Sequence, residues 1–148
     1  MAQPVENFAA AWLQQLIDEL IETAISSQGV GIAAPQVAQP YRLFIVASHP
    51  NFRYPQAPQM PPTPMLNPEI IAHSETITLG NEGCLSIPGK RGLVPRYAAV
   101  TVAYQDRYGN LQQQVFEGFV ARIIQHELDH LDGILFVDRA LELKDSNR

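Results

Sequence analysis

The chain has 148 residues, 46% of them hydrophobic and 17% charged, which supports one packed domain and excludes a disordered tail. Its formal net charge is -5, from 15 acidic against 10 basic residues, and this argues against binding to nucleic-acid phosphates or anionic lipid. No apolar run is long enough to span a bilayer, the first residues lack a secretory pattern, and the single cysteine, Cys84, cannot form an intrachain disulfide. A cytoplasmic or organellar protein is expected, not a secreted one.

From Asn7 to about Ser27, apolar residues recur at intervals of three and four: Phe8, Trp12, Leu13, Leu16, Ile17, Leu20, Ile21 and Ala24. This spacing predicts an amphipathic helix with Asn7 as N-cap and Gly29 beyond its end. Arg42 to Ala47 reads as a strand. His49 to Pro64 then carries six prolines, so an irregular surface loop is expected there, with Phe52 and Tyr54 able to pack back onto the domain. Short strands are predicted at 64–71 and 75–79, with His73 an ordinary surface residue. Two more, at 99–104 and 111–116, flank Asp106-Arg107-Tyr108-Gly109-Asn110, a hairpin turn with glycine in it.

The last helical segment carries chemistry. Gln125-His126-Glu127-Leu128-Asp129-His130-Leu131 places two histidines four residues apart, on one helical face, with a glutamate directly after the first. Two imidazoles so placed can hold one divalent metal ion, and Glu127 is near enough to handle a proton of the attacking water. Phe119 and Ile123 continue the same face, and Gly118 and Asp132-Gly133 mark the ends. Burying two imidazoles without a shared ligand would be costly. Asp129 reads equally well as a support for this site or as a surface residue. A catalytic metal of this kind takes a third protein ligand, for which His49, His73, several carboxylates and Cys84 are all candidates. Cys84 stands out because Asn81-Glu82-Gly83-Cys84-Leu85-Ser86-Ile87-Pro88-Gly89 brackets the thiol in a tight turn, and thiolate binds first-row divalent ions strongly.

Three segments together, Gly29-Val30-Gly31-Ile32-Ala33-Ala34-Pro35-Gln36-Val37, EGCLSIP and QHELDHLDG, closely resemble in order the signature motifs of peptide deformylases. The resemblance runs through most of the chain and implies removal of the formyl group from the N-terminal methionine of new proteins. It implies a metal held by Cys84, His126 and His130, with Fe2+ expected and Zn2+, Ni2+ or Co2+ as alternatives. It also implies Glu127 as acid and base, with the Gln36 amide and the Leu85 backbone N–H pointing at the formyl oxygen. Gly31 would sit where backbone passes close to substrate. Val30, Arg122 (through its aliphatic stem), Ile123 and His126 would form the methionine pocket, with Glu82 and Arg91 as supporting or substrate-contacting groups.

The implied fold is α+β: antiparallel sheets packed around a central HExxH helix, preceded by the N-terminal amphipathic helix, as a single catalytic domain over 1–148. Implied partners are N-formyl-methionyl nascent polypeptides, with transient ribosome proximity and neither nucleic acid nor membrane. Family members begin with an extended segment that includes a strand. The chain starts at Met1-Ala2-Gln3-Pro4-Val5, where that segment should be ending, so an unpaired sheet edge or exposed apolar surface is expected. Two other readings remain: a different metal hydrolase, and a catalytically silent, peptide-binding relative.

Overall fold

The structure is a computed structural model and describes residues 1–52, 54–84 and 87–145; residues 84, 87–90 and 142–145 are described by their backbone alone. The elements run α1 (Ala11–Ser26), β1 (Gly31–Ala33), a 3-10 turn (Ala34–Val37), β2 (Leu43–Val46), β3 (Thr63–His73), β4 (Ile77–Cys84), β5 (Ile87–Tyr97), β6 (Ala99–Gln105), β7 (Leu111–Glu117), α2 (Gly118–Leu131), α3 (Phe136–Arg139) and β8 (Glu142–Asp145). They form a five-stranded antiparallel sheet, β1-β2-β3-β6-β7, and a three-stranded one, β4-β5-β8. This is the α+β architecture that the motifs imply.

The larger sheet lies between α1 and α2, and β2 shows why. Its four residues are all fully buried, with Leu43 and Ile45 packed toward α1 and Phe44 and Val46 toward the α2 side. Alternate side chains of one strand thus serve two cores, so the strand is hydrophobic throughout. Leu13, Ile17 and Leu20 of α1 meet Ile32 and Leu66 on one face; Ile123, Ile124 and Leu131 of α2 meet Met65 and Val102 on the other. Each such fully buried side chain contributes about 1.5–3 kcal/mol.

α1 starts later than its hydrophobic spacing suggests. Its N-cap is Ala10, without a side-chain cap, and Asn7 instead closes a small turn by accepting the Ala9 N–H at 3.2 Å. Apolar periodicity detects the face but not the cap, so Phe8 falls before the helix. The left-handed residue after α1 is Gln28 (φ 57°), not Gly29, whose N–H closes the turn on Ala24 O at 2.9 Å. Trp12 lies on the edge of the stripe, half-exposed, its ring 4.9 Å from that of Tyr41.

The proline-rich segment is irregular as expected, and Tyr54 folds back with its ring centroid 4.6 Å from that of Phe119. Phe52 does not pack back; it is 99% exposed. Near the start of the chain, Asn67 pairs with Val5 through both its amide ends, and Gln3 bridges to Tyr41. β1 and β4 are outer strands of their sheets.

Candidate active site

α2 begins abruptly because Gly118 adopts φ 62°, which turns the chain from β7 into the helix, and its N–H is held by Ala98 O at 3.0 Å. One face of the helix then presents Phe119, Arg122, Ile123, His126 and His130. The two imidazoles are buried, 5.1 Å apart between centroids and edge-on to each other. Phe136 of α3 packs behind His126, ring on ring at 6.1 Å.

Beneath them lies a cluster of buried charge. Glu82 of β4 accepts four hydrogen bonds: His126 Nδ1 (2.8 Å) and Arg96 Nη2 (2.9 Å) to Oε1, and Arg96 Nε (2.9 Å) and Arg122 Nη1 (2.6 Å) to Oε2. Burial alone would raise the Glu82 pKa, but the hydrogen bonds and charge of Arg96 and His126 outweigh it and lower the carboxyl from 4.5 to about 2. Burial would likewise lower the pKa of Arg96, and the Glu82 and Asp129 carboxylates more than reverse this, raising it. Asp129, facing β5 from α2, also binds Arg139. An ionised carboxylate only accepts, so His126 donates from Nδ1, and its Nε2, once deprotonated, offers its lone pair on the other side.

That arrangement fits a divalent metal ion. A histidine ligand oriented by a carboxylate on its second nitrogen is the usual supporting geometry of metal-binding imidazoles, and His130 stands one helical turn further on. Cys84, the third ligand implied by the motifs, lies at the end of β4, two residues beyond Glu82; its side chain is outside the described residues, as is Leu85 altogether.

Above the helix opens a cavity of about 310 Å3, lined by Val30, Gly31, Gln36, Glu82, Phe119, Arg122, Ile123, His126 and Glu127, with Asn51 and Tyr54 of the proline-rich loop at its side. The structure therefore brings together residues from all three motif segments. Gln36 is oriented by its own turn: Oε1 accepts the Ala33 N–H at 2.8 Å, making the NH2 the donor end. Glu127 rests against Gly31, where a Cβ would come within 2.8 Å of Oε2. The missing side chain at Gly31 thus makes room for the glutamate itself, a constraint the motif alone does not reveal.

Arg122 lines the cavity as expected, but its guanidinium turns into the sheet, donating to Thr78 O and Val94 O, each at 2.9 Å, as well as to Glu82. Arg91 is not in this cavity. It lies in an adjoining groove, donating to the Tyr54 hydroxyl at 2.9 Å and stacking over that ring. Asp129 is a support and not a surface residue, since it is buried. His49 hydrogen-bonds Ala47 O, and the exposed His73 ring stacks on Tyr97 at 3.8 Å; neither joins the site. Sequence reasoning missed Arg96, Gly80 and the wall formed by Tyr54 and Phe119. A period-two reading of Gly92, Val94 and Arg96, all buried, is the signal that places Arg96 inside.

An HExxH helix, a carboxylate-oriented histidine, a fixed amide and an apolar cavity define a metal-dependent amide hydrolase. Comparison with known proteins narrows the class. The family model for polypeptide deformylase matches residues 1–146. Peptide deformylase 2 of a Nostoc species is 66% identical over 135 residues, covering 91% of this chain and 75% of that protein. Peptide deformylase 2 of Shewanella oneidensis is 47% identical, covering 86% of this chain and 71% of that one. Among solved structures, the Met-Ala-Ser-bound class I type b peptide deformylase of Acinetobacter baumannii superposes with a TM-score of 0.91 at 51% identity, covering 93% of this chain and 88% of that one. The actinonin complex of the Synechococcus elongatus enzyme gives 0.83 at 38%, covering 94% and 70%. The chain belongs to the polypeptide deformylase family.

Proposed function

We propose that the cavity above α2 is where this chain hydrolyses the formamide of N-formyl-methionyl peptides, with Glu127 as the proton-handling group and Gln36 as an oxyanion donor. The observation that carries this reading is the fixed Gln36 amide sharing one cavity with Glu127 and His126. Cys84, His126 and His130 would hold a divalent ion, Fe2+ being the expected one and Zn2+, Ni2+ or Co2+ alternatives; when bound, it supplies Lewis-acid stabilisation of developing negative charge.

The chain's own residues account for the rest. Glu127 takes a proton as water attacks the formyl carbon, and returns it to the amine nitrogen as the C–N bond breaks, leaving formate and a free N-terminus. The Gln36 NH2 donates to the carbonyl oxygen as it gains charge, with the Leu85 N–H as a second donor by resemblance. Because Ala33 fixes the amide beforehand, little reorganisation is needed at the moment of reaction. Val30, Phe119, Ile123 and the stem of Arg122 provide an apolar wall suited to the unbranched, polarizable methionine side chain.

The domain 1–148 would act as one unit on nascent chains near the ribosome, in a cytoplasm or an organelle. Among the described residues no helix is long and apolar enough to cross a membrane. Formate release from formyl-Met peptides by protein loaded anaerobically with Fe2+ tests the reading. Formyl-norleucine peptides are expected to react well and formyl-alanine peptides more slowly by a factor of about 10 or more. Absence of formate release with metal bound refutes the reading.

A further inference from the structure

One carboxylate joins the cavity wall to an imidazole. Glu82 binds His126 Nδ1 through Oε1 and Arg122 Nη1 through Oε2, at 2.8 and 2.6 Å. Arg122 is at once a wall of the cavity and a donor to the group that orients His126. Its guanidinium fills a fitted space, since a Cβ on Gly80 would lie 2.8 Å from both Cζ and Nε. Thr78 O and Val94 O hold the head from the sheet side.

We propose that Arg122 is a positioning residue for His126, acting through Glu82, so that the metal-binding imidazole and the methionine pocket share one structural support. The proposal rests on the reading of His126 as a ligand. Arg96 grips Glu82 by both oxygens, but the Arg122 bond is shorter than either of these. Without it, Oε2 keeps a single donor in a buried setting, and the carboxylate shifts toward its remaining partners, His126 among them. Changing a group in direct contact with a metal-binding histidine costs 10–100-fold in metal affinity. Arg122 stands one hydrogen bond further away, so a loss of about tenfold is expected.

The test titrates metal-free protein with Co2+ against a chelating dye and records the visible spectrum of the complex. Arg122→Met keeps an apolar stem and is expected to bind Co2+ about tenfold more weakly, with shifted bands. Arg122→Lys, which returns a cation within reach of Glu82, should recover part of the loss. Gly80→Ala removes no charged group and displaces only the guanidinium; it should weaken binding in the same direction. Ile123→Val trims the same wall and should raise KM for a formyl-Met peptide without changing Co2+ affinity, which separates pocket shape from metal geometry. Thermal unfolding of each metal-free form shows whether it is folded, and if Arg122→Met is not, Gly80→Ala decides. Affinity and spectrum within twofold of wild type for the folded variants overturn the proposal while leaving the ligand reading intact. A folded wild type that binds no Co2+ overturns both.

Discussion

Replacing Gly31 by alanine presses first on the placement of Glu127. The added Cβ would stand 2.8 Å from Glu127 Oε2, 3.2 Å from its Cδ and 3.0 Å from Ile123 Cγ2. Ordinary contact begins near 3.4 Å, so the carboxylate must withdraw by about 0.6 Å. Gly31 has no positive φ, so alanine brings no backbone strain. The nearest displaced atom is the far end of a flexible side chain and the Ile123 methyl must give by only a few tenths of an ångström, which puts the stability cost toward the lower end of the usual ~1–3 kcal/mol for overpacking. The catalytic cost should be larger, because a misplacement near 1 Å lowers rates by about 10²-fold. A fall in kcat of roughly 10–10², with KM within about threefold and metal content unchanged, is therefore expected. A continuous formate assay on a formyl-Met peptide, paired with metal analysis of the same samples, measures all three quantities. If kcat is unchanged, Glu127 does not work from the position the structure gives it, and the reasoning from that contact fails.

Three further outcomes are expected. Glu127→Gln keeps its metal and loses about 10²–10⁴ in kcat, as read by single-turnover formate release at equal metal loading. Gln36→Leu lowers kcat by about 10²–10³ with metal content unchanged; a change confined to KM would instead make Gln36 a binding group. In metal-free protein, the Glu82 carboxyl, faced by Arg96, Arg122 and His126, sits below its ordinary 4.5, at about 2. A depressed pKa stabilises the fold above pH 4.5, and this share is lost as pH falls from 4.5 toward 2, so acid denaturation curves should steepen across that interval and flatten in Glu82→Gln.

The helix carrying His126 and His130 is legible in the sequence because its period is strong and glycine turns bound it on both sides. β5 is not. Ile87-Pro88-Gly89-Lys90-Arg91-Gly92-Leu93-Val94-Pro95-Arg96-Tyr97 has two prolines and two glycines, which local propensity scores against a strand. Pairing with β4 overrides that propensity, and Pro95 is accommodated because β8 reaches only Lys90 to Leu93, so among the described residues Pro95 has no strand partner on that side. The bulge at Asn67 and Pro68 in β3 is similar: Asn67 takes φ 49°, a conformation asparagine tolerates, and the ladder resumes at Glu69. At the site, the motifs identify groups but not their partners. Glu82 is visible as a member of EGCLSIP, whereas Arg96 reaches it only through the register that sets Thr78 opposite Arg96. The task of Gly31 was hidden for the same reason, since its neighbour Glu127 lies 96 positions away, a separation that no local pattern spans.

The position of α2 in the chain has a consequence for the order of synthesis. When β4 and β5 have left the ribosome, Glu82 and Arg96 are present, but Arg122, His126 and Asp129 are not, nor is β8, the third strand of their sheet. Closing a core around two charges whose partners are still missing is unfavourable, so those charges stay in water until the helix arrives. The sheet face that receives Ile124 and Leu131 stays uncovered for the same interval. A chain halted at Glu117 should therefore remain open and readily digested by protease, whereas one extended past Asp145 should not. The last large folding event and the two histidines come on the same 14-residue helix, so a newly made molecule has no stage at which it is closed but still lacks those imidazoles.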